Sequence, residues 1–211
     1  MCYNGGIGAT EKGQIIRQAG GLGMILANTE IRGEMLSASP FVAPALRIGY
    51  NASLAVLQYL NSTKNPTAIL DNGVRTEVGT KPAPAVAAFS SRGPSSVVPE
   101  IMKPDILAPG LDILAAWTGE PSASPIPGVE VEFSIISGTS MSCPHVAGIS
   151  ALLKSAHRDW SPAMIRSALM TTAYTLDNTG HTLSDTYDWT VSDPSGFGAG
   201  HINPNAALDP G

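Results

Sequence analysis

Apolar residues fall along this chain in two rhythms, and the change between them divides it. Up to Leu70, short apolar runs alternate with helical spacing. Ile15, Ile16 and Ala19 recur at helical intervals over Glu11–Ala19, and Gly20-Gly21 stops that helix. Met24–Ala27 is an unbroken apolar run between Gly23 and Asn28, the pattern of a buried strand. Asn51 is placed to cap a helix running to Leu60, with Leu54, Val56, Leu57 and Leu60 apolar. Thr67–Leu70 reads as a further strand. Helices feeding buried strands predict a small α/β unit.

Residues 71–84 are polar and contain Gly and Pro, and a domain boundary is expected there. Beyond it, Ala85–Phe89 and Ile113–Trp117 read as strands, with turns at Gly93-Pro94 and Pro109-Gly110 between them. Glu120–Gly128 holds three prolines and reads as a surface loop. Phe133–Ile136 is a strand that runs straight towards Gly138. From Ser140 the spacing becomes helical, with Val146, Ile149, Leu152, Leu153 and Ala156 on one face. Ser161-Pro162 starts another helix, Ser as N-cap and Pro at its first position, and Ile165, Leu169 and Met170 carry it to about Ala173. The remainder is rich in Gly, Asn, Asp and Pro and reads as loop. There are no internal repeats. Met24, Met164 and Met170 read as core residues.

Composition sharpens this picture. Of 211 residues, 43% are hydrophobic and only 14% charged, against roughly 25% charged in an average domain. Gly (22) and Pro (17) are plentiful, so the chain is tightly turned and loop-rich but has apolar side chains enough for a core. The net charge of −5 and the absence of a basic stripe leave no footprint for nucleic acid. No apolar run reaches the ~18 residues that would span a membrane. The N-terminus, Met1-Cys2-Tyr3-Asn4-Gly5-Gly6, has neither the basic nor the apolar region of a signal peptide. Cys2 and Cys143 are too few for a disulfide framework or a cysteine zinc site, and no metal-ligand or cofactor motif occurs. Two sequons, Asn51-Ala52-Ser53 and Asn61-Ser62-Thr63, carry meaning only in a secreted chain.

The chemistry concentrates in Ser137–Gly148. A strand ends, two small residues turn the chain, and a helix begins, so Ser140 sits at a helix N-terminus. Its hydroxyl is exposed there, and the free N–H groups and positive dipole end favour a developing oxyanion. Two readings of Ser140 stand at this point, an ordinary N-cap and a nucleophile. The Gly-x-Ser-x-Gly elbow of other hydrolases does not fit, because Ser142 occupies the place of the second glycine. His145 lies five residues on, ~140° round the helix and ~7.5 Å along it, too far to bond Ser140. Cys143 and His145, two positions apart, do not face each other. Pro144 is tolerated because the helix has barely begun, and Gly148 is expected to admit another backbone close by. Cys143 reads as a small buried residue, and His157 as complementing the helix dipole.

Gly138-Thr139-Ser140-Met141-Ser142-Cys143-Pro144-His145-Val146-Ala147-Gly148 closely resembles the nucleophile motif of subtilisin-like serine proteases. Phe89–Pro94, Lys103–Gly110, Trp160–Pro162, Ala168–Ala173 and Gly198–Pro204 resemble the plant-type branch of that family. Residues up to about Leu70, with Cys2, Gly20-Gly21, Gly23-Met24 and Ile25–Asn28, resemble the protease-associated domain inserted in that branch. The resemblance implies an α/β fold: a partial subtilisin-like parallel-sheet domain over 76–211, and part of a small protease-associated α/β domain over 1–75. It implies a serine endopeptidase that acts on proteins or peptides through an acyl-enzyme on Ser140, with no cofactor and no metal.

In that family the triad runs Asp, His, Ser along the chain. No His precedes Ser140 here; the four are His145, His157, His181 and His201. The nearest match to the aspartate motif, Asp177-Asn178-Thr179-Gly180, has an extra residue and follows the serine. The family's oxyanion-hole asparagine has no counterpart either. The resemblance therefore implies a chain that carries the serine without its partners and is inactive by itself. A second chain supplying Asp and His, or a silent or binding role resting on the protease-associated region, is the alternative. Arg92 and Asp105 are expected in structural ion pairs or turns, and Cys2 to pair with a cysteine upstream. The family also implies an extracellular, apoplastic setting.

Overall fold

A computed structural model describes residues 1–71, 78–119 and 128–211. The expected Pro-rich loop at Glu120–Gly128 lies outside the described residues except for Gly128, and residues 72–77 of the expected boundary likewise. The chain divides into two units, Met1–Glu77 with Leu114–Ile136, and Val78–Ile113 with Ser137–Gly211.

The first unit is built on a parallel sheet in the order β1-β2-β3: β1 (Cys2–Tyr3), β2 (Met24–Ala27) and β3 (Ala45–Ile48). Parallel neighbours need a crossover, and α1 (Ala9–Gln18) supplies the one between β1 and β2. β2 is central, with Leu26 and Ala27 at 0% exposure, which is why its sequence is a continuous apolar run. It pairs with β3 from Met24↔Ala45 to Ala27↔Ile48. The buried Asn28 closes the turn after β2 by donating to the carbonyls of Gly33 (3.0 Å) and Met35 (2.8 Å). α2 (Tyr50–Ser62) follows β3.

Several expectations change here. α1 packs by Gly13, beside the Phe41 and Val42 side chains, with Ile16 half-buried on the same face, whereas Ile15 and Ala19 are exposed, so only part of the expected apolar face is buried. Asn51 is inside α2, whose cap position is Gly49; Glu34 reaches across to accept from the Asn51 N–H at 2.8 Å and satisfies an orphan amide instead. Leu54 and Leu60 are exposed, and Ser53 is the buried position. Thr67–Leu70 is not a strand: Tyr59 Oη bonds both N–H and C=O of Thr67, and Ile69 is 95% exposed. This unit also holds a two-stranded sheet, β4 (Ile113–Ala116) with β5 (Phe133–Ile136).

The second unit packs helices against irregular chain. α3 (Thr139–Ala156) and α4 (Pro162–Thr171) enclose a cluster of Leu153, Leu169, Ile202 and Ala207, joined by Ile106, Val146, Ile149 and Ile165. Leu152 is 69% exposed and Ala156 is exposed, so the face of α3 that packs is narrower than its apolar residues suggest. Ser161 caps α4 as its sequence requires, accepting from the Met164 N–H at 3.2 Å with Pro162 at the first position. Ser161→Ala is expected to cost about 1 kcal/mol, read as a lower urea midpoint with an unchanged slope. α4 ends at Thr171, and Met164 on it is exposed rather than core.

The C-terminal stretch is mostly loop with two short helices, α5 (Pro194–Phe197) and α6 (Pro204–Leu208), yet it supplies much of the core. Leu183 and Phe197 bury with Val86 as a second cluster. Ala85–Phe89 accordingly makes only a single bridge, Val86 with Asp185, and not a strand. The chemistry of that contact is mixed: Val86 N–H to Ser184 C=O (2.8 Å), Thr186 N–H to Val86 C=O (2.9 Å), and Ala88 N–H to Thr186 Oγ1 (2.9 Å).

Arg92 and Asp105 both form ion pairs, though with different partners. Arg92 meets Asp185, while Asp105 takes Lys103 (2.9 Å) and Arg166 of α4 (2.6 Å). Burial raises the Asp105 pKa, but the bonds and charges of Lys103 and Arg166 outweigh that and hold it below the usual carboxylate value. A lowered folded-state value means stability that is present above the unfolded value, about 3.9, and lost as pH falls through the folded one. Asp105→Asn is therefore expected to cost up to about 1 kcal/mol at neutral pH, since Arg166 is largely exposed. The gap from the parent should close in acid, as followed by urea midpoints against pH. A gap independent of pH would assign the loss to packing.

Candidate active site

Ser140 is the second residue of α3 and is exposed at the helix mouth. β5 ends at Ile136, and the turn between strand and helix has two braces, both inside the second unit. Gly138 N–H donates to the Gly110 carbonyl at 2.8 Å. Ser137 Oγ accepts from the Asp112 N–H (2.8 Å) and donates to Asp112 Oδ1 (3.0 Å). Gly138 has φ 156° and ψ 163°, a conformation that essentially only glycine adopts, and it throws the chain abruptly from strand into helix. At Gly110 a side chain would meet Ser142 Oγ and come within 2.9 Å of the Gly138 carbonyl oxygen. Gly138 is thus set by backbone shape and Gly110 by close approach.

Among the described residues, neither the hydroxyl nor the N–H of Ser140 has a hydrogen-bond partner. Gly138, not Ser140, occupies the cap position, so the ordinary N-cap reading of Ser140 does not hold. Pro144 has no N–H to give the Ser140 carbonyl, which loosens the first turn without breaking the helix. The unused first-turn amides and the dipole of an 18-residue helix make this mouth a place where negative charge is stabilised.

The four histidines are each engaged elsewhere. His145 Nδ1 is 2.7 Å from the Met141 carbonyl on its own helix. His157 is the C-cap residue of α3, stacked on Trp160 at 3.9 Å with Nε2 2.7 Å from the Leu208 carbonyl. Its ring therefore ties the helix end to α6. His181 Nδ1 meets Thr179 Oγ1 at 2.9 Å. His201 is the nearest in surroundings. It lines a cavity of about 220 Å³ with Thr139 and Ser142 at the start of α3, but Ser140 is not part of that lining. Burial holds the His201 imidazole below the usual range, partly offset by the Ile202 carbonyl at 3.1 Å from Nδ1. The Asp177 carboxylate is spent within its own turn: Oδ1 accepts from Thr179 Oγ1 (2.5 Å), Thr179 N–H (2.7 Å) and His181 N–H (3.2 Å).

Two expectations for this segment are corrected. Cys143 is exposed and is not among the residues packed on the Leu153–Leu169 cluster. A side chain at Gly148 would meet nothing within 4 Å, so no backbone approaches there. The Asp112–Ser137 brace was not expected; its only sequence trace is the Pro109-Gly110 turn, which announces a loop but not its partner. Among the described residues no group of His, Cys, Asp or Glu could hold a metal ion. No helix there is long and apolar enough to cross a membrane.

The chain is thus an α/β protein that carries an exposed serine where it passes from β5 through Gly138 into α3. Residues 7–198 match the model of the Subtilase family, and the chain belongs to that family. It is 51% identical to subtilisin-like protease SBT1.7 of Arabidopsis thaliana, 50% to SBT1.3 and 48% to SBT1.5 of the same plant, in each case over all of its length. The chain spans only 27–28% of the length of those relatives.

Proposed function

We infer that this chain carries the serine-bearing part of a plant-type subtilisin-like serine endopeptidase, with Ser140 as nucleophile. In this reading residues 76–211 belong to the catalytic domain and 1–75 to the inserted protease-associated domain. The observation that carries it is the state of Ser140: exposed, unbonded and seated at the mouth of an 18-residue helix, in the motif the relatives' family shares. Its Oγ attacks the scissile carbonyl carbon while a histidine takes the proton. The Ser140 N–H donates to the oxyanion, and the leaving amine departs with the histidine's proton. Water then hydrolyses the acyl-enzyme. The histidine, its aspartate and a side-chain oxyanion donor come from sequence outside these 211 residues, in the same polypeptide or in a complementing chain. Substrates are proteins or peptides, and the setting is extracellular.

The test is a peptidase assay of a polypeptide extended to the length of the relatives, beside Ser140→Ala. Subtilisin loses about 2 × 10⁶ in kcat with its serine, and a loss of that order is expected here. Activity that survives Ser140→Ala would overturn the assignment.

A further inference from the structure

The two sequons both lie on α2, and the structure treats them differently. Asn51 and Ser53 are both inside the first turns of the helix. Residues two apart on a helix point about 200° away from each other, so the Asn51 amide and the Ser53 hydroxyl cannot be presented together while the helix stands. Ser53 is also at 0% exposure, and its Oγ donates to the Tyr50 carbonyl at 2.7 Å. The helix start is fixed from outside by Glu34, a residue synthesised before the sequon emerges, through the Asn51 N–H. The first sequon therefore closes as the helix forms.

The second sequon sits where the helix ends. Asn61 is in the last turn and exposed, and Thr63 is already out of the helix in extended conformation, φ −115° and ψ 124°. Last turns fray readily, so a short adjustment brings the Asn61 amide and the Thr63 hydroxyl together. The coil that follows is pinned at Thr67 by Tyr59, which lies about 200° round the helix from Asn61 and so leaves the Asn61 side clear. Lys64 follows Thr63, and neither sequon has proline in its middle position.

We propose that Asn61, and not Asn51, is an N-glycosylation site of this chain. The donor is an oligosaccharide on a polyprenyl diphosphate. The sugar C1–O bond to the diphosphate breaks, a C1–Nδ2 bond to Asn61 forms, the amide gives up one proton, and the polyprenyl diphosphate leaves. The proposal rests on the extracellular part of the functional reading but not on Ser140.

The test places the full 211-residue chain behind a cleavable secretory leader and translates it with endoplasmic-reticulum microsomes. Asn51→Gln, Asn61→Gln and Thr63→Ala are run beside it. One step in mass, removed by an endoglycosidase, is expected. It should vanish in Asn61→Gln and in Thr63→Ala and persist in Asn51→Gln; all three positions are at or near the surface, so the variants keep the fold. A step lost in Asn51→Gln, two steps, or no step on chain shielded by the membrane from added protease would overturn the assignment. The extracellular reading is examined separately, by looking for the native chain in extracellular fluid. Its absence there, with leader-driven glycan on Asn61, would overturn that reading and leave the site assignment supported.

Discussion

Incubated with a fluorophosphonate probe, the purified 211-residue chain is expected to gain no mass at Ser140. An exposed serine is a poor nucleophile until a base takes its proton, and no histidine bonds Ser140. All four histidines are among the described residues, and each ring is bonded to something other than Ser140. His201 comes to the same end of α3, lining a cavity with Thr139 and Ser142, but it faces the Ile202 carbonyl and packs tilted on Tyr174. The positive end of α3 favours negative charge, which would help a transition state only once attack is possible. Removing the histidine or serine alone from subtilisin costs about 2 × 10⁶ in kcat, ~9 kcal/mol of barrier. Intact mass of the folded chain beside Ser140→Ala is the readout. Labelling that disappears in the alanine variant would mean that a base lies within these residues. His201→Gln would then be the next variant to make.

How much of this could be read from the sequence depends on whether a feature is local. β2 was legible because burial makes Met24–Ala27 a continuous apolar run. The start of α4 was legible because Ser161-Pro162 satisfies the helix end with its own atoms. The turn that carries Ser140 was legible for the same reason, since strand, glycine and helix follow one another along the chain. Features made by distant partners left no such trace. β1 is two residues long and β3 carries Arg47 between apolar neighbours, so neither has the rhythm of a strand. Thr67–Leu70 has that rhythm, but Tyr59 takes up the Thr67 backbone in its place. The Asp112–Ser137 brace joins residues 25 apart through one hydroxyl. Periodicity cannot announce a bond of that kind. The C-terminal stretch is mostly loop, as its composition predicts, but its part in the core left no periodic trace, because Leu183, Phe197 and Ile202 bury singly.

That stretch also contains the substitution expected to damage stability most. Gly198→Ala should lower the unfolding free energy by about 3 kcal/mol, the sum of a backbone penalty and overpacking. Gly198 follows α5 with φ 61° and ψ −125°, a sparsely populated conformation that costs an alanine roughly 1–3 kcal/mol. Its missing side chain faces backbone: a Cβ there would collide with the Pro104 carbonyl oxygen and lie 2.8 Å from the Asp105 carbonyl carbon and oxygen. Neither obstacle is the end of a flexible side chain. Relief would require moving the 104–107 segment, which is tied down by Ala199 N–H to the Asp105 carbonyl (3.0 Å) and Leu107 N–H to the Gly200 carbonyl (2.8 Å). That segment delivers Ile106 and Leu107 to the two apolar clusters, so the disturbance reaches both. Gly148→Ala is the control. Gly148 is in the interior of α3 with nothing within 4 Å of an added Cβ, so alanine should stabilise by up to about 1 kcal/mol. Urea unfolding of both variants checks the pair, since a generic glycine effect would move both midpoints the same way, whereas the geometry requires them to move apart.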